Sequence, residues 1–472
     1  MPRDTLGLAL WLALGFTVYG RAAPPNDSPR RTHNVQIIER CGASVVAVFA
    51  FGENNAVSSG SGSVIHPDGY ILTNDHVVQG REGVVVLRDR PPLRFRTIGR
   101  SPAKDLALIK VEAGRPLVTV PLGRSDDLLA GEPILIGGNP GGRGIVFSAG
   151  IVSSPSVMAG ASALAMSNLP DDARDRVIQF DAASNRGNSG GPLINAEGEQ
   201  VGVVVGKIFD EQDINFAIPI DRVHKAIRDL LLPEERGNFW TGIDLELAST
   251  QIRRVRAGSP AARAGLVPGD TITNLGDAAV KGAVDFYAAL SPCKPDDRVR
   301  VQFTHDQESR EATLALEPYP TPDGVSLEGR EAGLRYRLYR GRFKQCPDFA
   351  MLVPVAEGTV ATLKLGEIAD LPDDEYALVL EGYVAIPETG VWTFAIGSDD
   401  GSRLYLHGDL LVDNDGPHPM QWSSGRLRLG KGLHAIRIEF FEATQGADLQ
   451  VTLGADGTAV TQAPAFFFDK GK

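Results

Sequence analysis

Short apolar runs separated by glycine-containing turns recur through the first half of the chain: Ser44 to Phe51 reads SVVAVFAF, and Gly83 to Leu87 and Pro133 to Ile136 repeat the pattern. Runs of this length, rich in valine and isoleucine and bounded by turn residues, predict strands. The pattern changes at Asp221 to Leu232 (DRVHKAIRDLLL), where Val223, Ile227 and Leu230/Leu231 share one helical face and Pro233 sets the stop. A first boundary is therefore expected near Pro233 to Asn238. A second unit runs to Pro318, and Pro318, Pro320, Pro322 and Gly324 then predict a stiff linker. Beyond it the alternation is strong. Trp392, Phe394 and Ile396 point one way, a turn at Ser398-Asp399-Asp400-Gly401 follows, and Leu404 and Leu406 resume the period of two, which predicts a β-hairpin. Further runs at Leu433 to Phe441 and Ala447 to Leu453 point to a β-sandwich, and no fixed-period repeat is present. The whole reads as a mainly β, multidomain protein.

The one long apolar run is Leu6 to Gly20, which follows Arg3 and precedes Gly20-Arg21-Ala22; residues 1–22 are expected to be a secretory signal peptide. Asp4 weakens the positive start, and an uncleaved N-terminal anchor is the other reading. Either places the folded part outside the cytoplasm, secreted or in the periplasm or cell envelope. Length changes the picture only by setting a count: 472 residues suit about three domains. With 43% apolar and 22% charged residues the composition is that of a globular chain. A net charge of −12 offers no cationic field for a phosphate backbone, so no nucleic-acid partner is expected. Cys41, Cys293 and Cys346 are too few and too far apart for a disulfide framework or a thiolate metal site, and plain thiols are expected.

Three strings carry candidate chemistry: Thr73-Asn74-Asp75-His76-Val77-Val78, Asp105-Leu106-Ala107-Leu108-Ile109-Lys110 and Gly187-Asn188-Ser189-Gly190-Gly191-Pro192. A serine hydroxyl is a weak nucleophile near neutral pH; it needs an imidazole to take its proton and a carboxylate to fix that imidazole's tautomer. His76, Asp105 and Ser189 fit those roles. The glycines around the serine permit a tight turn that aims backbone N–H groups, those of Gly187 and Ser189, at a developing oxyanion. Singly, each residue has a bland reading as core histidine, surface carboxylate or glycine turn.

Together, in this order, they resemble the trypsin-like serine proteases of the HtrA/Deg family. Gly60 to Val78 (GSGSVIHPDGYILTNDHVV), Gly131 to Gly142 (GEPILIGGNPGG), Ser148 to Ser153 (SAGIVS) and Asn215 to Asp221 (NFAIPID) extend the likeness over about 200 residues. The resemblance implies two packed six-stranded barrels over residues 34–232, endopeptidase activity through an acyl-enzyme, and no cofactor for catalysis. Two positions depart from the family pattern. Ser184 stands where an aliphatic residue usually lines the specificity pocket, which admits either a preference for small or polar P1 residues or a hydroxyl bonded to backbone. Asp75 replaces the asparagine often found beside the catalytic histidine, and it is expected to be solvated, because adjacent strand side chains point apart.

Residues 239–317 resemble a PDZ domain, on Gly258-Ser259-Pro260-Ala261-Ala262-Arg263-Ala264-Gly265-Leu266 and Pro268-Gly269-Asp270. The likeness implies that an extended peptide adds to a sheet edge while Thr241, Gly242 and Ile243, in the loop Trp240 to Ile243, offer backbone donors to its C-terminal carboxylate. Thr241 replaces a larger apolar residue there, and a spacer role is the other reading. Residues 318–329 form the expected linker. Residues 330–468 resemble a protective-antigen homology (PA-fourteen type) β-sandwich, on Gly333-Leu334-Arg335-Tyr336, Ser398 to Gly401, Asp413-Asn414-Asp415-Gly416 with His418, and Gly432-Leu433-His434. Lectin-like members hold calcium with an adjacent aspartate pair, so Asp399 and Asp400 are the candidate calcium ligands; a simple hairpin turn is the alternative.

The combined expectation is a secreted or envelope serine endopeptidase acting on unfolded or damaged proteins and peptides. Its third unit would target a glycan or cell-surface ligand, and family analogy implies a homo-oligomer, a trimer. The alternatives are a non-hydrolytic, lectin-like surface protein that uses the protease fold as a scaffold, and a chaperone that acts without cleavage.

Overall fold

The computed structural model describes residues 25, 27–52, 57–78, 82–88, 90–157, 176–207, 214–326, 331–361, 363–443, 446–455, 461–462 and 467–469. The expected signal peptide, residues 1–22, lies outside the described residues. Among the described residues no helix is long and apolar enough to cross a membrane.

Valine, isoleucine and leucine line the inner faces of the first unit's strands, and two barrels close around them. The first comprises β1 (Val45–Phe51), β2 (Val57–His66), β3 (Tyr70–Thr73), β4 (Glu82–Val86), β5 (Leu93–Ser101) and β6 (Leu106–Val111), in the order β1-β2-β3-β6-β5-β4. The second comprises β7 (Pro133–Gly138), β8 (Val146–Val157), β9 (Val177–Phe180), β10 (Pro192–Ile194), β11 (Gln200–Lys207) and β12 (Asn215–Pro219), in the order β10-β11-β12-β9-β8-β7. Val46, Val48, Ile71 and Ile109 fill the first barrel, and Ile136, Val152, Phe180 and Val204 the second.

The predicted helix is present as Ile220–Leu231, with Val223, Ile227, Leu230 and Leu231 buried. Leu232 then turns left-handed, and Pro233 opens a short second helix, Pro233–Gly237. The longer helix lies hard against β5. Gly99 sits at a bulge in that strand, and a side-chain Cβ there would collide with the Leu230 carbonyl.

In the second unit Phe239–Trp240 pairs with Glu317–Pro318, Ile243–Leu245 pairs with Ile252–Val255, and Thr271–Leu275 lies between Ala278–Ala279 and Arg298–His305. Ser259 caps the helix Pro260–Arg263 by accepting from the Ala262 N–H at 3.1 Å. Ile243, Ile252, Phe286 and Leu290 join Val223, Ile227 and Leu230 of the first unit in one continuous apolar cluster, so the two units share a core.

The third unit is a sandwich of an eight-stranded and a four-stranded sheet around Phe394, Ile396, Leu404, Ile438, Phe440 and Val451. The hairpin expected at Ser398 to Gly401 is not formed. Gly390–Asp399 pairs with Gln421–Leu429 and Asp448–Ala455 in the smaller sheet, whereas Ser402–Leu406 pairs with Asp409–Asn414 and Gly432–Glu442 in the larger. The chain therefore crosses the core at this turn. Both strands need one apolar face toward the same interior, and alternation alone does not distinguish a hairpin from a crossing. The segment after Pro318 is strapped to this sandwich, since Val325 and Leu433 exchange backbone hydrogen bonds of 2.9 and 3.0 Å.

All three cysteines are free thiols. Burial pushes the Cys41 and Cys346 thiols upward and Cys293 to about 11, so none is poised as a thiolate.

Gly99→Ala is expected to destabilise the protein by about 1–3 kcal/mol, because helix or strand must move to admit one methyl. Denaturant titration, followed by far-ultraviolet circular dichroism, checks this.

Candidate active site

Asp105 follows a single helical turn, Pro102–Lys104, in a left-handed conformation (φ 46°), and is 3% exposed. Its carboxylate faces His76 with both oxygens, at 2.9 and 2.8 Å from Nδ1. One of them also accepts the His76 backbone N–H at 3.0 Å, and the Asp105 carbonyl accepts from Asn74 Nδ2 at 2.9 Å. Burial pushes the Asp105 carboxyl above its usual range, and its hydrogen bonds to His76 pull it back. Because both carboxylate oxygens are acceptors, Nδ1 carries the ring proton and Nε2 is left as the basic nitrogen.

Ser189 comes from the other barrel, on a turn that only glycine permits. Gly187 (φ 102°) and Gly190 (φ 85°) are both left-handed, and a Cβ on Gly190 would strike the Ser61 carbonyl and Thr73 Oγ1. The turn thus lies against the stretch leading into His76, and the Ser61 N–H donates to the Ser189 carbonyl at 2.8 Å. The Ser61 hydroxyl donates to the Gly187 carbonyl at 2.6 Å and accepts the Asn139 N–H at 2.8 Å. The Arg186 carbonyl accepts the Gly141 N–H at 2.9 Å, which turns the trans-related Gly187 N–H to the opposite side. Among the described residues neither the Gly187 nor the Ser189 N–H is spent on a hydrogen bond. The Ser189 hydroxyl itself donates to the Val205 carbonyl of β11 at 2.7 Å, so it must rotate to reach His76.

Asp75 is not solvated as expected. It is 7% exposed and takes both arms of Arg100, Nε at 2.7 Å and Nη2 at 2.9 Å. The strand rule does not apply because β3 ends at Thr73 and His76 opens a helical turn, His76–Val78. Ser184 is buried, and its hydroxyl accepts from Asn188 Nδ2 at 3.5 Å, with no bond to backbone among the described residues.

In the Trp240 to Ile243 loop two of the three expected donors, those of Thr241 and Ile243, are already engaged. The Thr241 N–H and hydroxyl both donate to Glu234 Oε1, at 2.5 and 2.6 Å, and the Ile243 N–H donates to Thr241 Oγ1 at 3.2 Å. Gly242 is left-handed (φ 78°), and a Cβ there would collide with Ser259. Burial pushes the Glu234 carboxyl upward, and the two Thr241 bonds oppose that shift.

At the crossing turn of the third unit, ligand atoms of Asp399, Asp400 and Glu442 all lie within 4.8 Å of one another. The Asp399–Asp400 peptide is cis, and Asp400 accepts the His418 N–H at 3.0 Å and the Ala443 N–H at 2.9 Å. Glu442 is fully buried, and neither of its carboxylate oxygens has a partner among the described residues. Burial, then Asp400 and Asp399, push the Glu442 carboxyl to about 7, and burial and Asp400 push Asp399 upward. Three converging carboxylates, one buried and unpartnered, are the hard-oxygen donor set that a divalent cation such as calcium takes. Asp415 does different work, accepting the Cys346 N–H at 2.7 Å and Arg403 Nη2 at 2.6 Å to tie loops together.

Comparison with known proteins recognises each of the three units. Residues 60–203 match the trypsin-like peptidase domain, 241–316 the PDZ domain and 330–462 the PA14 domain. The mitochondrial serine protease HTRA2 of Bos taurus is 33% identical over 338 residues, which span 63% of this chain and 69% of that protein. The putative serine protease HhoB of Synechocystis is 33% identical over 65% of this chain and 71% of its own length. This chain belongs to the HtrA family of serine proteases. A third relative, a probable periplasmic serine endoprotease, DegP-like, of Ectopseudomonas mendocina, is 33% identical over 57% of this chain and 58% of that protein.

The fold brings His76, Asp105 and the Ser189 turn of this HtrA-type protease together, and gathers Thr241, Gly242 and Ile243 into one loop and Asp399 with Asp400 at one turn. Sequence reasoning missed Ser61, Arg100, Glu234 and Glu442. Ser61 lies inside the quoted GSGS block, but its role depends on the second barrel. Arg100, Glu234 and Glu442 read as ordinary surface charges, and no local signal marks them as buried or paired.

Proposed function

We propose that this protease cleaves unfolded or damaged polypeptides outside the cytoplasm, through an acyl-enzyme formed on Ser189. The observation that carries the reading is the grip of Asp105 on both His76 Nδ1 and the His76 backbone, with the Ser189 turn packed against the same stretch. In acylation the Ser189 hydroxyl leaves Val205, passes its proton to His76 Nε2 and bonds the scissile carbonyl carbon. The carbonyl oxygen, now negative, takes the free N–H groups of Gly187 and Ser189. His76 then gives its proton to the leaving amine as the C–N bond breaks. Water repeats the cycle: His76 takes a water proton, the hydroxide attacks the ester carbon, and the C–O bond to Ser189 breaks as the proton returns to the Ser189 oxygen, releasing the acyl part as a carboxylic acid. Ser184, at the position expected to line the specificity pocket, is buried with its hydroxyl accepting from Asn188, which suits small or polar P1 side chains. A location in the periplasm or envelope accords with the apolar N-terminal run and with the relatives named periplasmic.

The PDZ unit is proposed to take free chain ends by exchange: an incoming carboxylate replaces that of Glu234 at the Thr241 N–H. In the C-terminal unit Asp399, Asp400 and Glu442 would hold calcium. The ion supplies a charge that balances the buried acids and open coordination for sugar hydroxyls, a means of attaching the protease to a glycan surface.

Ser189→Ala is expected to lower cleavage of labelled β-casein at least about a thousandfold and to abolish labelling by a fluorophosphonate probe; retained cleavage would sink the acyl-enzyme. In the Ser189→Ala background, Glu234→Ala is expected to tighten binding of peptides with a free C-terminus about tenfold and to leave the amidated peptides unchanged, as read by calorimetry. At calcium a hundredfold above its Kd, full-length protein is expected to gain about 2.7 kcal/mol. Thermal melting should show this stabilisation, and Asp400→Asn should remove it.

A further inference from the structure

The C-terminal sandwich touches the protease at a point that leads to the catalytic dyad. Arg426, on the edge strand Gln421–Leu429, reaches across with its guanidinium. Nη1 donates to the Asp229 carbonyl at 2.6 Å, Nη2 donates to the Arg100 carbonyl, and Nε is steadied by Thr393 Oγ1 at 3.2 Å. The first acceptor is a helix-end carbonyl that has no other donor to expect. In an α-helix it would take the N–H four residues on, and that residue is Pro233, which has none. The second acceptor lies near the end of β5, five residues before Asp105.

From that same residue the Arg100 side chain holds Asp75 in two hydrogen bonds, and Asp75 is joined by one peptide bond to His76. The turn Pro102–Lys104, against which the Gln421–Leu429 strand packs, then delivers Asp105 in its left-handed conformation. Both halves of the His76–Asp105 pair are thus reached from the one backbone segment that Arg426 grips. The sandwich is held in this seat at one more point, where Arg428 Nη1 donates to the Glu235 carbonyl at 2.7 Å.

We propose that Arg426 is a positioning residue of the protease: seated by the C-terminal sandwich, it fixes the end of β5, so that Arg100 holds the His76 segment through Asp75 and the following turn presents Asp105. The Arg426 contact of the sandwich is then part of the catalytic geometry, and not only a means of targeting. This rests on His76, Asp105 and Ser189 being the catalytic triad.

The test uses the full-length chain as wild type, Arg426→Ala, Arg426→Lys and Arg428→Ala, with labelled β-casein as substrate and a fluorophosphonate as active-site probe. A small misplacement of the dyad costs rate more than binding. Arg426→Ala is expected to lower kcat and the labelling rate about tenfold with KM within about twofold, and Arg426→Lys to fall between it and wild type. Arg428→Ala, which loses a seat contact that does not lead to the dyad, is expected to keep kcat within about twofold of wild type. Melting temperatures within a few degrees of wild type separate these effects from unfolding; should Arg426→Ala melt early, Arg426→Lys carries the comparison. The proposal fails if the folded Arg426 variants turn over at the wild-type kcat, or if Arg428→Ala loses as much kcat as Arg426→Ala. If the wild type itself neither cleaves nor labels, the triad reading fails first, and this proposal falls with it.

Discussion

A proline after a helix organises much of this molecule. The helix Ile220–Leu231 ends with carbonyls that need donors, and Pro233 denies one to Asp229. The answers come from three directions: the Leu232 N–H closes on Arg228 at 2.7 Å, Arg236 donates to the carbonyls of Leu230 and Leu231, and Arg426 arrives from the third unit to serve Asp229. The same helix packs on β5 over the side-chainless Gly99 and shares its apolar face with the second unit. It is therefore the element on which all three units are registered.

Each candidate site contains a carboxylate taken out of water, and the three are treated differently. Asp105 is repaid by two hydrogen-bond donors of His76, and the cost of burying it becomes an imidazole fixed in one tautomer. Glu234 is repaid by Thr241, which closes the loop expected to receive a peptide carboxylate. Glu442 is buried beside two aspartates, and its carboxylate oxygens take no donor among the described residues, which is the arrangement that carries the proposal of a cation there. Burial moves all three carboxyls in the same direction, so the partner, and not the shift, tells their roles apart.

Much of the architecture was legible because it rests on local rules. Short apolar runs between turn residues marked strands of the first unit, the 3.6-residue period and Pro233 marked the helix, and the glycines around Ser189 marked a turn that needs φ above zero at Gly187 and Gly190. The errors also had local causes. Asp75 was assigned to solvent by a strand rule that stops at Thr73, and the Ser398 to Gly401 turn was read as a hairpin because both of its strands alternate. Arg100, Glu234 and Glu442 carried no signal, since a charged residue in a polar stretch looks the same whether water or a buried partner faces it.

Residue order alone determined the chemistry available to this protein: a histidine, an aspartate and a serine in sequence, glycines where the backbone must turn, and two adjacent aspartates where a strand ends. These follow from side-chain identity and backbone sterics, which act within a few residues. Tertiary structure decided what those groups meet. The serine hydroxyl rests on Val205, Glu234 holds the Thr241 N–H in the loop Trp240 to Ile243, and an arginine more than 300 residues downstream holds the segment before Asp105. Each of these contacts joins elements distant in the chain, and its energy depends on burial and distance, which exist only once the units have packed.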